Sequence, residues 1–282
     1  MIHIVVCIKQ VPDSAQIRVH PVTNTIMRQG VPAIINPYDL FALEEALRIK
    51  DKFGGFVTVI TMGPPQAENA LRKALSFGAD DAILVTDRAF AGADTLATSF
   101  ALASAIRQIE KGMPVDLVFC GKQTIDGDTA QVGPGIAKRL NLELLTYISG
   151  IVSVNTDKRE IVVQRRSEGG VQVLKTRLPA LVTMLEGSNE MRFATMPNMV
   201  RAARTNVKRW DRVAAGIEDI TKIGLKGSPT VVSKVFAPSP KTVKAEIIQT
   251  NSGEADEIAA TLLMKMFTKF PHVREQLEKS AG

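Results

Sequence analysis

DLVFCGKQTIDGDTAQVGPGIAKRL (116–140) reads as a buried strand, a polar loop with two glycines and a helix. DLVFC (116–120) is a short apolar run of the kind found in strands covered on both faces of a parallel sheet. Gly121 and Gly127 then let the backbone approach a ligand closely. A helix is expected over 128–140, and the free amides of its first turn would face a phosphate or pyrophosphate. Asp126 and Asp128 would repel an anion, so they are expected to cap this helix or to accept hydrogen bonds from ribose or adenine. A capped αβ loop without any ligand explains the same local features.

Upstream, HIVVCI (3–8), FVTVIT (56–61) and AILVT (82–86) are strands of the same kind. Helices are expected between them. Residues 39–53 place Leu40, Leu43, Leu47 and Ile49 on one stripe, 67–77 run up to Gly78, and 95–110 form a long Ala/Leu/Ile helix. Strand and helix in alternation predict an α/β fold, a doubly wound parallel sheet of Rossmann-like form. Ligands of such sheets bind beyond the carboxyl ends of the strands. The segments there are Cys7–Asp13, Thr61–Pro65, Asp87–Thr95 and Gly121–Gly133, all rich in Gly, hydroxyl or amide groups. Asn36-Pro37-Tyr38-Asp39 is explained as a helix start and could equally point a side chain or an amide at a nucleotide. Asp94 and Thr95 open the third helix. Thr98 lies on the same face one turn later, so both hydroxyls could reach one phosphate.

Beyond about residue 145 the pattern changes. ISGIVSVN (148–155), REIVVQRRSEGG (159–170) and VQVLKTRLPALVTML (171–185) predict a small antiparallel extension, with Gly169-Gly170 as a hairpin turn. Residues 186–241 read as an extended arm. The C-terminal part starts from a capping-box-like Asn251 and Glu254 and carries Ile258, Leu262, Met266 and Phe270 along one helix face. The expected organisation is an α/β nucleotide-binding domain over 1–185, a recognition loop and partner-embracing arm over 186–241, and an amphipathic helix region over 242–282.

Composition narrows the function. Two cysteines far apart and three scattered histidines in 282 residues supply no metal-ligand spacing, so no metal centre is expected. The apolar N-terminus reads as a strand without a basic leader, and no apolar run is long enough to span a bilayer, so a cytoplasmic protein without membrane insertion is expected. The net charge of +6 owes much to Arg201, Arg204, Lys208, Arg209 and Arg212. With 5% aromatic residues and no recognition motif, that cluster predicts a solvated arm or an acidic protein partner, not a nucleic acid. No Walker loop, G-x-G-x-x-G fingerprint or nucleophile elbow is present, and no catalytic side chain stands out.

VCIKQVPD (6–13), NPYDLFALEEAL (36–47), VITMGPP (59–65), GADDAILVTDRAF (78–90), CGKQTIDGDTAQVGP (120–134) and RLPALVTML with NEMRFATMPNMVRA (177–202) together resemble the electron-transfer flavoprotein β-subunit family. The resemblance runs in order to about residue 240. It implies a heterodimer with an α subunit that carries one FAD, and an adenine nucleotide held by the β subunit. The residues implied for that site are Cys7, Lys9, Asn36, Pro37, Tyr38, Asp39 and Met62, with Gly121, Gln123, Thr124, Ile125, Asp126, Gly127, Asp128, Thr129, Ala130, Gln131 and Val132 of the loop. In many members this ligand is a structural AMP. In the electron-bifurcating branch it is a second FAD that accepts a hydride from NADH.

TDRAFAGADTLATS (86–99) and GDTA (127–130) are similar to the bifurcating versions. The resemblance then places Asp94, Thr95 and Thr98 near the FAD pyrophosphate, and Arg88 and Phe90 toward the flavin. It implies electron delivery to an acyl-CoA or other flavin dehydrogenase, or a quinone reductase, and to ferredoxin or flavodoxin. Where mammalian-type members present a leucine knob to acyl-CoA dehydrogenases, this sequence has Ser188; Met184, Leu185 and Met191 are the neighbouring substitutes. A free-standing adenine-nucleotide-binding regulator or ligase on the same sheet is the reading from another class, and it needs no α subunit.

Overall fold

A computed structural model describes residues 1–13, 18–19, 26–27, 32–231, 245–249 and 253–280. Its elements, in chain order, begin with strand β1 (Ile2–Cys7) and the short strands β2 (Gln10–Pro12), β3 (Arg18–Val19), β4 (Ile26–Met27) and β5 (Ala33–Ile35). The alternating region follows as α1 (Pro37–Phe53), β6 (Gly55–Met62), α2 (Glu68–Phe77), β7 (Asp81–Val85), α3 (Thr95–Gly112), β8 (Leu117–Gly121) and α4 (Val132–Leu140). Next come β9 (Glu143–Asn155), β10 (Glu160–Ser167), β11 (Gly170–Arg177), β12 (Ala180–Met184), α5 (Met196–Arg204) and β13 (Lys208–Trp210). Helices α6 (Ala255–Lys269) and α7 (Pro271–Ser280) end the described chain.

One nine-stranded sheet runs in the order β11-β10-β9-β12-β8-β1-β6-β7-β13. β1 sits between β6 and β8 and pairs with both in parallel, so the strand order reverses between β1 and β8. All six residues of β1 are buried, as its unbroken apolar run requires. Ile4 and Val6 face the core under α1 and α2, whereas Val5 and Cys7 face the core under α3 and α4. Helices therefore cover both faces, and the doubly wound α/β sheet expected from the sequence is present.

Three expectations need correcting. Helix α4 starts at Val132, not at 128, because Asp128 and Ala130 adopt left-handed backbone (φ 52° and 54°) that a helix cannot contain. VQVLKTRLPALVTML is two strands, divided at Leu178-Pro179. β11 is antiparallel to β10 across a turn at Gly170, but β12 enters the sheet between β8 and β9 and runs parallel to both. Burial explains this, since every residue of β12 is buried in the manner of a central parallel strand.

The third concerns the stretch read as an extended arm. Within it, α5 docks on α2: Arg72 donates to the carbonyls of Ala202 and Thr205, and Arg201 donates to those of Leu75 and Ala79. β13 pairs with β7 at the sheet edge. The basic cluster is largely consumed by these contacts, with Lys208 on Asp81 and Arg209 on Glu68.

Two compact units result, Met1–Val235 and Phe236–Gly282. In the second, Glu254 occupies the N-cap position of α6, while Asn251 lies outside the described residues. Of the expected stripe, Ile258 and Leu262 are exposed on α6 and Met266 is half-buried, whereas Phe270 lies just past the helix end and is exposed.

Candidate functional site at the carboxyl edge of the sheet

Around the point where the strand order reverses, the loops after β1 and β8 are tied to the start of α1. Asn36 is fully buried, and its side chain does not cap α1. Its Nδ2 instead donates to the Gln123 carbonyl at 2.8 Å, its Oδ1 accepts from the Ile125 amide at 3.1 Å, and its own amide reaches the Lys9 carbonyl at 2.8 Å. Pro37 takes the first helical turn, as expected. One turn on, Asp39 accepts from the amides of Lys9 (2.7 Å) and Gly121 (3.1 Å). Burial pushes its carboxyl up to about 7, against the pull of those two amides and of Asn36.

Gly121 is required by this contact. A Cβ there would lie 2.5 Å from Asp39 Oδ1 and 2.6 Å from the Tyr38 carbonyl carbon. On the outside, Lys9 Nζ pairs with Asp126 at 2.8 Å. Burial disfavours ionisation of Asp126, but Lys9 and Thr124 outweigh it and hold the carboxyl below its usual range. Lys122 sits 5.4 Å from the Tyr38 ring centroid and 5.9 Å from that of Tyr147.

The 121–131 loop ends in an anion-binding shape. Thr124 accepts from the amides of Gly127 and Asp128, and Gln123 donates to Asp128 at 2.8 Å. Neither Asp126 nor Asp128 caps α4, whose N-cap residue is Gln131. Left-handed Ala130 followed by right-handed Gln131 (φ −99°, ψ −25°) turns successive amides to one side, the geometry of a backbone nest. Among the described hydrogen bonds none engages the amides of Thr129, Ala130 or Gln131. Holding Asp128 and Ala130 in that region costs about 1–3 kcal/mol each, so the rest of the loop must enforce it.

Thr95 Oγ1 donates to Gln131 Oε1 at 2.7 Å and joins this cradle to the start of α3. A cavity of about 690 Å³ lies over the ends of β6 and β7, with Ala93, two residues before Thr95, in its wall. Met62, Pro64, Arg88, Phe90 and Ala93 are among its walls, and its volume is ordinary for a small-molecule site. Phe90 is buried; Arg88 is exposed.

Asp94, expected near a pyrophosphate, is fully occupied otherwise. One oxygen caps α3 through the amides of Leu96 and Ala97, and the other accepts from the amide and hydroxyl of Thr230. Cys7 also faces inward: its thiol lies in the buried core beside Cys120, whose own thiol is pushed well up by their hydrogen bond and by burial. Thr98 is half-buried in the first turn of α3. Ser228 and Thr230 were not legible as site residues, because no local pattern ties them to Asp94, over 130 positions away.

Comparison with known proteins bears on this edge. The model of the electron transfer flavoprotein domain matches residues 23–215. Protein FixA of Azotobacter vinelandii is 70% identical over 279 residues, 99% of each chain. The chain belongs to the electron transfer flavoprotein β-subunit family. Protein FixA of Sinorhizobium fredii is 62% identical, covering 99% of this chain and 98% of that one. The electron transfer flavoprotein subunit beta of Clostridium acetobutylicum is 47% identical, covering 86% and 90%. Membership makes this an electron-transfer subunit and implies a heterodimer with an α subunit.

In the family frame, the 186–200 segment differs from expectation. Ser188 Oγ is buried without a partner. The proposed substitutes are also turned inward, since Met184 and Leu185 are buried and Met191 packs on the core. The most exposed apolar side chains here are Phe193 and Met196, at 95% and 70%, with Met199 and Val200 also exposed.

Proposed function

We propose that this chain is the β subunit of a bifurcating electron transfer flavoprotein of the cytoplasm. In this reading NADH reduces an FAD held at the sheet edge, one electron passes through the α-subunit FAD to a flavin dehydrogenase or quinone reductase, and the other goes to ferredoxin or flavodoxin. The flavin would supply the redox chemistry, and the residues of this chain bind and orient it.

The observation that carries the reading is the presence of two compartments linked by the Ala93–Thr95 segment, which lines the cavity at Ala93 and bonds Gln131 at Thr95. The nest at Ala130-Gln131 offers amides that suit phosphate oxygens. The cavity walled by Met62, Pro64, Arg88 and Phe90 offers apolar surface and one cation, which suits a further ring system. A single AMP needs only the first compartment. Lys9 and Asp126 neutralise one another at the outer rim, so the cradle keeps its amides for the ligand. No helix among the described residues is long and apolar enough to cross a membrane.

Cofactor analysis of the purified heterodimer tests the proposal. Two FAD per dimer, with bleaching of the flavin absorbance by NADH, is the expected result. One FAD together with one AMP would refute bifurcation and leave a single-electron-path carrier with a structural nucleotide.

A further inference from the structure

The 88–94 loop beside the cavity over β6 and β7 is packed against a segment that no strand-end pattern points to. Gly224–Gly227 forms a short 3-10 helix, and Ser228 follows it. Leu225 covers Gly92 so closely that a Cβ there would meet Leu225 Cγ at 2.6 Å. Gly224 packs on the Ala89 carbonyl, where a Cβ would come within 2.1 Å of the oxygen. Ser228 Oγ accepts from the Asp94 amide at 2.8 Å and donates to the Gly224 carbonyl at 2.7 Å. Thr230 donates twice to Asp94 Oδ2, at 3.2 Å from its amide and 2.8 Å from its hydroxyl.

The carboxylate of Asp94 thereby receives four hydrogen bonds, two from α3 and two from Thr230. An ionised carboxylate has about four acceptor positions, so none is left for a ligand hydroxyl. Burial works against ionisation, but the Ala97, Thr230 and Leu96 donors prevail and hold the group below its ordinary range. Asp94 therefore remains a charge, but one turned toward Thr230 and the helix start.

We infer that Gly224–Thr230 is a positioning element of the cofactor site: Ser228 and Thr230 through Asp94, and Leu225 through Gly92, hold the 88–94 loop and the start of α3 in the geometry that the ligand meets. The inference rests on reading the adjoining cavity as part of that site. None of the three side chains lines the cavity, so their effect on the ligand passes through the loop.

The test uses the full heterodimer carrying Ser228→Ala with Thr230→Val, beside Thr230→Ser, which keeps the hydroxyl. FAD affinity, the absorption spectrum of the bound flavin and amide hydrogen exchange are measured on each. The double variant should bind FAD about tenfold more weakly, the order expected when hydrogen bonds to a charged group are lost. It should also shift the flavin spectrum and exchange faster at 88–97, with α1 unchanged. Thr230→Ser should behave as the wild type.

Unchanged exchange at 88–97 with unchanged FAD binding overturns the inference. So does exchange that accelerates uniformly along the chain, which marks a general loss of stability. If the wild-type heterodimer holds AMP and takes up no second FAD, the bifurcation reading fails, and exchange at 88–97 still decides whether the segment positions the loop.

Discussion

Asp39 and Asp94 each hold one wall of the candidate site at the carboxyl edge of the sheet, and their acidities diverge. Asp39 is buried and accepts from two backbone amides, those of Lys9 and Gly121, and its carboxyl is raised to about 7. Asp94 is partly open, accepts four hydrogen bonds and is lowered. Two amides do not compensate for complete removal from water, whereas four donors at a wetter position do. The walls also differ in origin. Asp39 joins segments that come first in the chain to the loop after β8, through backbone contacts too tight for any side chain at Gly121. Asp94 is held by a late segment through hydroxyls and a flexible leucine side chain.

The sharpest way to break this comparison is Gly121→Ala. Its Cβ would collide with the Tyr38 backbone and Asp39 Oδ1, neither of which can move without shifting α1. A loss of about 3 kcal/mol in chemical denaturation is expected, the upper end of overpacking costs. Gly92→Ala probes the other wall. Its neighbour is the end of the Leu225 side chain, which can rotate away, so the main cost is an alanine at φ 73°. A loss of about 1 kcal/mol is expected, and equal losses in the two variants would erase the distinction between a rigid and a yielding wall.

A further probe of the first wall is the pH dependence. The unfolded Asp39 carboxyl gives up its proton near 3.8 and the folded one near 7, so the folded state binds more protons between those values. Its contribution to stability is therefore full below the lower value, falls as pH rises through the window and is level above it. Asp39→Asn removes the titration. The stability difference between wild type and variant should shrink or reverse from about pH 4 to about pH 7, then stay constant. A difference flat across that range would show Asp39 ionised throughout.

The runs 3–8, 56–61, 82–86 and 116–120 announced four parallel strands, because a strand buried on both faces has to be apolar at nearly every position. Gly78 and Pro37 marked helix ends for equally local reasons. The strand-end segments that follow also contain most residues of the cleft. Local rules misread the loop before α4, since nothing in the local pattern announces left-handed backbone at Asp128 and Ala130, and alanine disfavours it. They also misread ALVTM (180–184), whose pattern suits a hairpin strand and a buried parallel strand alike.

The sequence by itself determined the doubly wound sheet and which segments meet at its carboxyl edge, because apolar periodicity and turn chemistry act over a few residues. The tertiary structure alone decided what each polar side chain at that edge does. Asn36 became a tie between loops, Asp94 a saturated anchor, and Thr230 its partner from the other end of the domain. Hydrogen-bond partners this far apart, 87 residues from Asn36 to Gln123 and 136 from Asp94 to Thr230, are selected by packing, and packing leaves no local signature.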